Sequence, residues 1–344
     1  MSVRVAVVGA TGAVGSTMLE VMSERRFDAS EVVPLASERS AGKKISYGDG
    51  QLEVRALADD AIEGFDIAIF SAGGGVSREW APKFRDSGCV VVDNSSAWRM
   101  EPNVPLVVAE VNGDALERHE GIVANPNCST MQMVMALKPI LDAVGIERVI
   151  VSTYQSTSGT GQKAVEELRT QAEAVLGERD VEAAVYPHQI AFNILPQVET
   201  FKDGDDYTTE ERKMMAETRK ILGADDIAIS ATCVRVPVYN AHSESVNVQT
   251  REDLSPERCR EVLSAFPGVV VVDDPAAGRY PMPIDAAGHD EVFVGRIRRD
   301  PSHERCLNLW IVGDTLRKGA ATNAVQVAEQ LVQRNLVGTK VFAG

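Results

Sequence analysis

The chain of 344 residues has no apolar run approaching the length a membrane helix needs, so nothing in it predicts a span. It is also short of positive charge: 35 Lys plus Arg stand against 50 Asp plus Glu, a formal net charge of −15. A chain this anionic is repelled by nucleic acid and by acidic membrane surfaces, which excludes both as expected partners. Cysteine is scarce as well. Five are scattered without pairing spacing, and an odd count suits a reducing compartment, so a cytoplasmic protein is expected. No Cys/His spacing and no H-E-x-x-H suggests a metal site, and neither internal repeats nor a low-complexity linker occur. The opening residues, Met1 to Val8, run straight into a glycine turn and read as a first strand rather than a signal peptide. What remains is 44% apolar and 25% charged, an ordinary globular balance whose length suggests two domains.

The first third alternates strands with helical segments. Val3–Val8, Glu31–Ala36, Asp66–Phe70 and Cys89–Asp93 are short apolar runs, with helical stretches at Thr17–Met22 and Ser77–Phe84. That alternation implies βαβ units and a doubly wound parallel sheet. From about Cys128 the character changes. A helix to Ala143 leads to a strand at Ile146–Tyr154, and polar helices follow at Gly161–Leu176 and Thr208–Leu222. Alternating strands at Thr232–Val238, Ser243–Thr250, Val292–Arg298 and Cys306–Val312 then suggest a mixed or antiparallel sheet with one face covered, leaving a face for a second copy. The fold class expected is α/β, a Rossmann-type parallel-sheet domain over 1–127 followed by an α+β catalytic and dimerisation domain over 128–312. Residues 313–344 are expected to return to the first domain, since Ala321, Ala324, Val325, Ala328 and Leu331 share one helical face.

Gly9-Ala10-Thr11-Gly12-Ala13-Val14-Gly15 sits between the first strand and the first helix. Its spacing departs from G-x-G-x-x-G, but its position after a strand opening a βαβ series points to a dinucleotide pyrophosphate on a helix N-terminus. Past the second strand, Arg39 and Ser40 suit a 2′-phosphate, while a small register shift would make Glu38 a ribose ligand; the reading favours NADP.

Asn125-Pro126-Asn127-Cys128 opens a helix, which places the Cys128 thiol where a helix dipole favours the thiolate. The other cysteines lie in strands (Cys89, Cys233, Cys306) or a charged helix (Cys259) and read as packing residues. A second cluster runs from Cys233 to Glu244. In it Arg235 can clamp a carboxylate, and His242, after the turn at the end of a strand, can serve as an acid or base. His119, His289 and His303 have charged surroundings and read as surface residues, whereas His188 after Tyr186-Pro187 is less easily set aside. Asp93–Arg99 follows a parallel strand, with Arg99 sited for a phosphate, and Gln155–Gly161 forms a second small-residue loop.

On Gly9–Gly15, Asn125–Thr130, Gln155–Gly161 and Arg235–Glu244, the chain resembles the bacterial aspartate-β-semialdehyde dehydrogenase family from the first strand to the final helix. The resemblance implies that Cys128 is the nucleophile forming an acyl thioester and His242 the acid/base. It implies that Gln155 orients the substrate, Arg235 binds its carboxylate and Glu210 lies near its amine, with Arg99 and Lys213 at the phosphate. Thr11, Gly12, Ala13, Val14, Arg39, Ser40, Ser158, Gly159 and Thr315 would contact NADP. Without the family, Glu210 and Lys213 read as part of a solvated charged helix. The implied reaction is NADPH-dependent reduction of aspartyl phosphate to aspartate semialdehyde and phosphate, carried out by a homodimer in the aspartate-derived amino-acid pathway. N-acetyl-γ-glutamyl-phosphate reductase uses the same thioester logic, and the Asn-Pro-Asn-Cys-Ser-Thr surround favours the aspartyl enzyme over it. A non-catalytic NADP sensor would share the glycine turn without needing an activated thiol. A short-chain reductase would need Tyr-x-x-x-Lys, which no tyrosine here supplies.

Overall fold

The structure, a computed structural model, describes residues 2–338. They form two compact units, one made of residues 2–127 with 320–338 and the other of Cys128–Gly319.

In the first unit the strands are β1 Val3–Val8, β2 Ala29–Ala36, the hairpin β3 Lys44–Tyr47 with β4 Gly50–Glu53, then β5 Arg55–Ala56, β6 Ile67–Phe70, β7 Val90–Asp93 and β8 Ile122–Ala124. Six of them make one sheet in the order β5-β2-β1-β6-β7-β8, with every neighbouring pair parallel. Both faces are covered, and β1 shows why its run is almost entirely apolar. Val5 and Val7 join Met18 and Leu19 of helix α1 (Ala13–Glu24) on one face. Ala6 and Val8 join Ala81 and Phe84 of helix α2 (Gly74–Asp86) on the other. Phe70 meets Phe84 edge-on at 5.3 Å between ring centres. Each fully buried Val or Leu here contributes about 1.5–3 kcal/mol relative to exposure. A short helix α3, Ala109–Asn112, follows β7. The final helix, Thr322–Gln333, lays Ala324, Val325, Ala328 and Leu331 into the α1 face of the core.

The second unit carries β9 Ile146–Gln155, β10 Ala228–Arg235, β11 His242–Thr250, β12 Val269–Val271, β13 Val292–Arg299 and β14 Cys306–Gly313, in the order β10-β9-β11-β14-β13-β12. The sheet is mixed: β10 with β9 and β12 with β13 are parallel, and the other pairs antiparallel. Its helices are α4 Cys128–Val144, α5 Gln162–Leu176, α6 Thr209–Leu222, α7 Pro256–Ser264 and α8 Pro283–Ala286. Period-two alternation sends Val149, Val151, Val246, Val248, Leu309 and Ile311 to the buried face, against which α4 packs. Ile150 and Tyr154 point the other way and are 39% exposed, with the Tyr154 and Trp310 rings 5.4 Å apart.

Most elements differ from the sequence expectation by a few residues at an end, and two of the differences shape the second unit. The strand expected over Thr232–Val238 ends at Arg235. Pro237 has no N–H to give a ladder, and the chain turns so that Val238 O and Tyr239 O accept from Thr157 N and Ser158 N. Residues 313–319, grouped from sequence with the returning segment, stay in the second unit. Asp314 anchors them there: one carboxylate oxygen accepts from Leu316 N and Arg317 N, and the other from Asn240 Nδ2 and Gly288 N.

Candidate active site

Gly9–Gly15 turns from β1 into α1 in the first unit. Gly9 adopts φ +83°, and a Cβ there would lie 2.5 Å from Ser71 O. A Cβ on Gly15 would lie 2.3 Å from Gly9 O, so strand and helix approach more closely than any larger residue allows. The α1 N-cap, Gly12, supplies no side-chain hydrogen bond, and the first-turn amides are left for an anion. The donor set suits a dinucleotide pyrophosphate. Past β2, Arg39 is exposed and Ser40 buried in the turn Glu38–Ser40. At the carboxyl end of β7, Asp93 is buried and its carboxyl is pushed up by desolvation, against the hydrogen bond from Ser95. Arg99 closes this loop by donating through Nε to Asn125 O (2.9 Å) and through Nη2 to Asn94 O (2.8 Å). The guanidinium sequence reasoning reserved for phosphate therefore also braces backbone.

In the second unit, Cys128 is the first residue of α4 and half-buried, whereas Cys89, Cys233, Cys259 and Cys306 are buried. Burial pushes all four of those thiols up, Cys259 to about 12. Beside Cys128 runs the turn from Asp314 to Gly319, closed by Gly319 N donating to Asp314 O at 2.9 Å. A Cβ on Gly319 would stand 3.0 Å from Cys128 Cβ. The same turn carries Thr315, whose hydroxyl lies 3.3 Å from His242 Nδ1.

His242 opens β11 and is 1% exposed. Its Nδ1 accepts from Ser156 N at 2.9 Å, with the Ser156 hydroxyl 3.1 Å away. Among the described residues its Nε2 has no hydrogen-bond partner, and a Cβ on Gly159 would lie 3.1 Å from that atom. Desolvation, with the nearby Arg235 charge adding to it, holds the imidazole well below its ordinary pKa. Arg235, at the end of β10, donates from Nη1 to Ser156 O at 2.5 Å and lies 5.8 Å from the centre of the Tyr186 ring.

Gln155 ends β9 and donates to Glu210 Oε1 at 3.1 Å. The charged helix that read as solvated buries Glu210 and Glu211 in its first turn. A capping box and a bond across to β10 hold this turn. Thr208 Oγ1 accepts from Glu211 N, and Glu211 Oε2 accepts from Thr208 N at 2.7 Å, leaving Glu211 Oε1 to accept from Cys233 N of β10. Lys213 pairs with Glu199 and lies 3.7 Å from Glu210 Oε2. Ser158 donates to Asn240 Oδ1 at 3.0 Å. Of the remaining histidines, His188 is exposed, and His119 corrects the surface reading: it is 5% exposed, taking Gly121 N on Nδ1 with Leu336 O at Nε2.

Three contributors carry no role in the sequence reading. Asp314 and Asn240 knot the Thr315 turn to the loop before His242, and Ser156 meets the imidazole. An Asp directly after a strand, able to accept from amides two and three residues on, is a turn signal that could have marked Asp314.

A dinucleotide-type domain joined to a unit with a helix-start cysteine and a buried His–Arg–Gln–Glu set is the arrangement of a nicotinamide-dependent dehydrogenase. Residues 4–119 match the family described as semialdehyde dehydrogenase, NAD binding domain, and residues 137–318 match semialdehyde dehydrogenase, dimerisation domain. The aspartate-semialdehyde dehydrogenase of Aquifex aeolicus (strain VF5) is 55% identical over 98% of this chain and 100% of its own length. A crystal structure of Vibrio cholerae aspartate semialdehyde dehydrogenase II complexed with ASA superposes with a TM-score of 0.93 at 46% identity, covering 97% of this chain and 99% of that one. The Candida albicans enzyme with NADP gives 0.75 at 25%, covering 98% and 100%. The chain belongs to the aspartate-semialdehyde dehydrogenase family.

Proposed function

We propose that this protein catalyses the reversible, NADPH-dependent reductive dephosphorylation of L-aspartyl-4-phosphate to L-aspartate 4-semialdehyde and phosphate. The observation that carries the site assignment is the gathering of His242, Arg235, Gln155 and Glu210 around the Ser156 segment, in the unit whose first helix begins at Cys128. Cys128 Sγ attacks the acyl carbon, the C–S bond forms, and the C–O bond to phosphate breaks with its electrons leaving on phosphate. A thioester accepts hydride far more readily than a carboxylate, which divides one difficult step into two easier ones. Bound on the Gly9–Gly15 turn, NADPH supplies the hydride. The chain's own task is then to manage the proton at the carbonyl oxygen, a role given to His242 as the acid/base, and to release Sγ as the thiolate when the C–S bond breaks. Arg235 takes the substrate carboxylate, Glu210 the amine, Gln155 the reacting end, and Arg99 and Lys213 the phosphate. Thr11, Gly12, Ala13, Val14, Arg39, Ser40, Ser158, Gly159 and Thr315 hold the cofactor. Arg39, exposed past β2, is the group for a 2′-phosphate.

The open face of the second sheet, with Ile150, Tyr154 and Trp310, supports a homodimer across it. Five cysteines, none in a disulfide, support a reducing cytoplasm, and no helix among the described residues is long and apolar enough to cross a membrane. The test is phosphate-dependent NADP reduction with aspartate semialdehyde against N-acetylglutamate semialdehyde. Turnover of the first and not the second is expected, and the reverse preference overturns the substrate assignment.

A further inference from the structure

A carboxylate can only accept hydrogen bonds, so it fixes the orientation of every group bonded to it. Asp314, 2% exposed, accepts from Leu316 N and Arg317 N on one oxygen at 2.7 and 3.0 Å, and from Asn240 Nδ2 and Gly288 N on the other at 2.8 and 2.7 Å. With its amide nitrogen turned to that carboxylate, Asn240 has its carbonyl to offer Ser158, whose hydroxyl donates to Oδ1 over 3.0 Å. The Ser158 proton is thereby committed to the protein. What the hydroxyl has left is lone pairs, with the Ser156 hydroxyl 3.1 Å away.

Ser158 stands beside the reacting centre. Its neighbour Gly159 approaches His242 so closely that a Cβ there would lie 3.1 Å from Nε2. Hydride must be delivered at that centre, so the part of the cofactor within reach of Ser158 is its nicotinamide riboside half. That half carries N–H and O–H donors in its carboxamide and ribose, whereas the oxygens of an ionised phosphate only accept. We propose that Asp314 is a positioning residue that acts through Asn240 to make the Ser158 hydroxyl an acceptor for a carboxamide or ribose donor of the cofactor, and not a phosphate ligand. The presence of that cofactor rests on the dehydrogenase reading above. Neither Asp314 nor Asn240 touches the cofactor in this scheme. Together they set the direction of one hydrogen bond.

Fluorescence titration with NADPH, beside competition by adenosine 2′,5′-bisphosphate, which has no nicotinamide half, tests this without turnover. Asn240→Asp brings two carboxylates face to face, and Asp314→Asn lets Asn240 turn over and donate to Ser158. NADPH affinity should fall about tenfold in each. In the double variant carboxylate and amide have exchanged places. The amide at 314 donates to the carboxylate at 240, Ser158 again gives up its proton, and of the Asp314 donors only Gly288 N loses its partner. Affinity for NADPH should return to within about threefold of wild type. The bisphosphate should bind all four proteins within about twofold, since none of its contacts is altered. Losses that add in the double variant, a parallel loss of bisphosphate affinity, or unchanged NADPH affinity in both single variants overturns the proposal. Should the exchanged variants not fold, Ser158→Ala decides. About tenfold weaker NADPH with unchanged bisphosphate is expected, and equal losses or no loss overturns the assignment. Wild-type protein that binds NADPH yet fails to reduce NADP with aspartate semialdehyde and phosphate would instead count against the dehydrogenase reading, and the titrations would still decide the role of Asp314.

Discussion

The side-chain amide of Gln155 donates to the buried carboxylate of Glu210 over 3.1 Å, joining the end of β9 to the first turn of α6. Gln155 therefore holds Glu210 in a fixed pose. If that pose receives the substrate amine, Glu210→Gln keeps the shape and removes the charge. A charge-assisted hydrogen bond is worth about 1.5–3 kcal/mol, so KM for aspartate semialdehyde should rise roughly ten- to hundredfold with a smaller change in kcat. Steady-state kinetics decides this, and an unchanged KM would remove Glu210 from the substrate site.

Half-burial at the start of a helix separates Cys128 from four buried thiols whose ionisation is suppressed by desolvation. The first equivalent of iodoacetamide should go to Cys128, as read by peptide mass, with loss of activity in proportion. Cys128→Ala should abolish turnover while NADPH binding, followed by fluorescence titration, stays within about twofold, since nothing in the cofactor turn is altered. Labelling spread over several cysteines, or turnover by the variant, would refute the nucleophile assignment.

The parallel sheet was legible because its strands are buried on both faces and so are apolar without interruption, as in β1, whose expected and observed bounds coincide. Cys128 was legible because Pro126 and Asn127 announce a helix start. Glu210 was not, because a run of charges on a helix is ordinarily solvated. What buries its first turn is the tertiary bond from Glu211 to Cys233 N, between residues 22 apart in the chain. His242 was found as a chemical group but not with its partner, an amide 86 residues away in the chain. Local pattern gave the parts, and long-range hydrogen bonds gave their states.

Glu167 of α5 organises the irregular segment that leads to Arg235. Its carboxylate accepts from Ala184 N (3.0 Å), Val185 N (2.5 Å) and Tyr186 N (3.3 Å), and Tyr186 then stands beside the Arg235 guanidinium while its hydroxyl reaches Thr160. Leu195 exchanges both backbone bonds with Arg235. Glu167→Ala would strand three amides, each worth about 1 kcal/mol or more. Hydrogen exchange over residues 182–195 should accelerate, and KM should rise more than kcat falls. Unchanged exchange there would show that the carboxylate is dispensable to the segment.

Glu244, two residues beyond His242 on β11, is 0% exposed, and Gln132 of α4 and Glu210 of α6 face it. Desolvation first, and the Glu210 charge after it, push its carboxyl well above the ordinary 4.5, while the Gln132 side chain works in the opposite direction. The folded chain thus holds a proton that the unfolded chain has released. The stabilisation this gives is complete below the unfolded value, declines as pH rises through the interval, and is gone above the folded value. Glu244→Gln keeps the shape of the neutral acid and cannot ionise. Urea midpoints of wild type and variant should diverge as pH rises from about 4.5, with the variant gaining about 1.4 kcal/mol for each unit separating the two values. His242 works in the other direction in both proteins: its lowered folded value removes stability as pH falls below the unfolded imidazole value of about 6.5, so the comparison between the two cancels it. Parallel curves from pH 5 to pH 8 would show that Glu244 ionises in the fold as freely as in the open chain, and its burial would then have no electrostatic consequence.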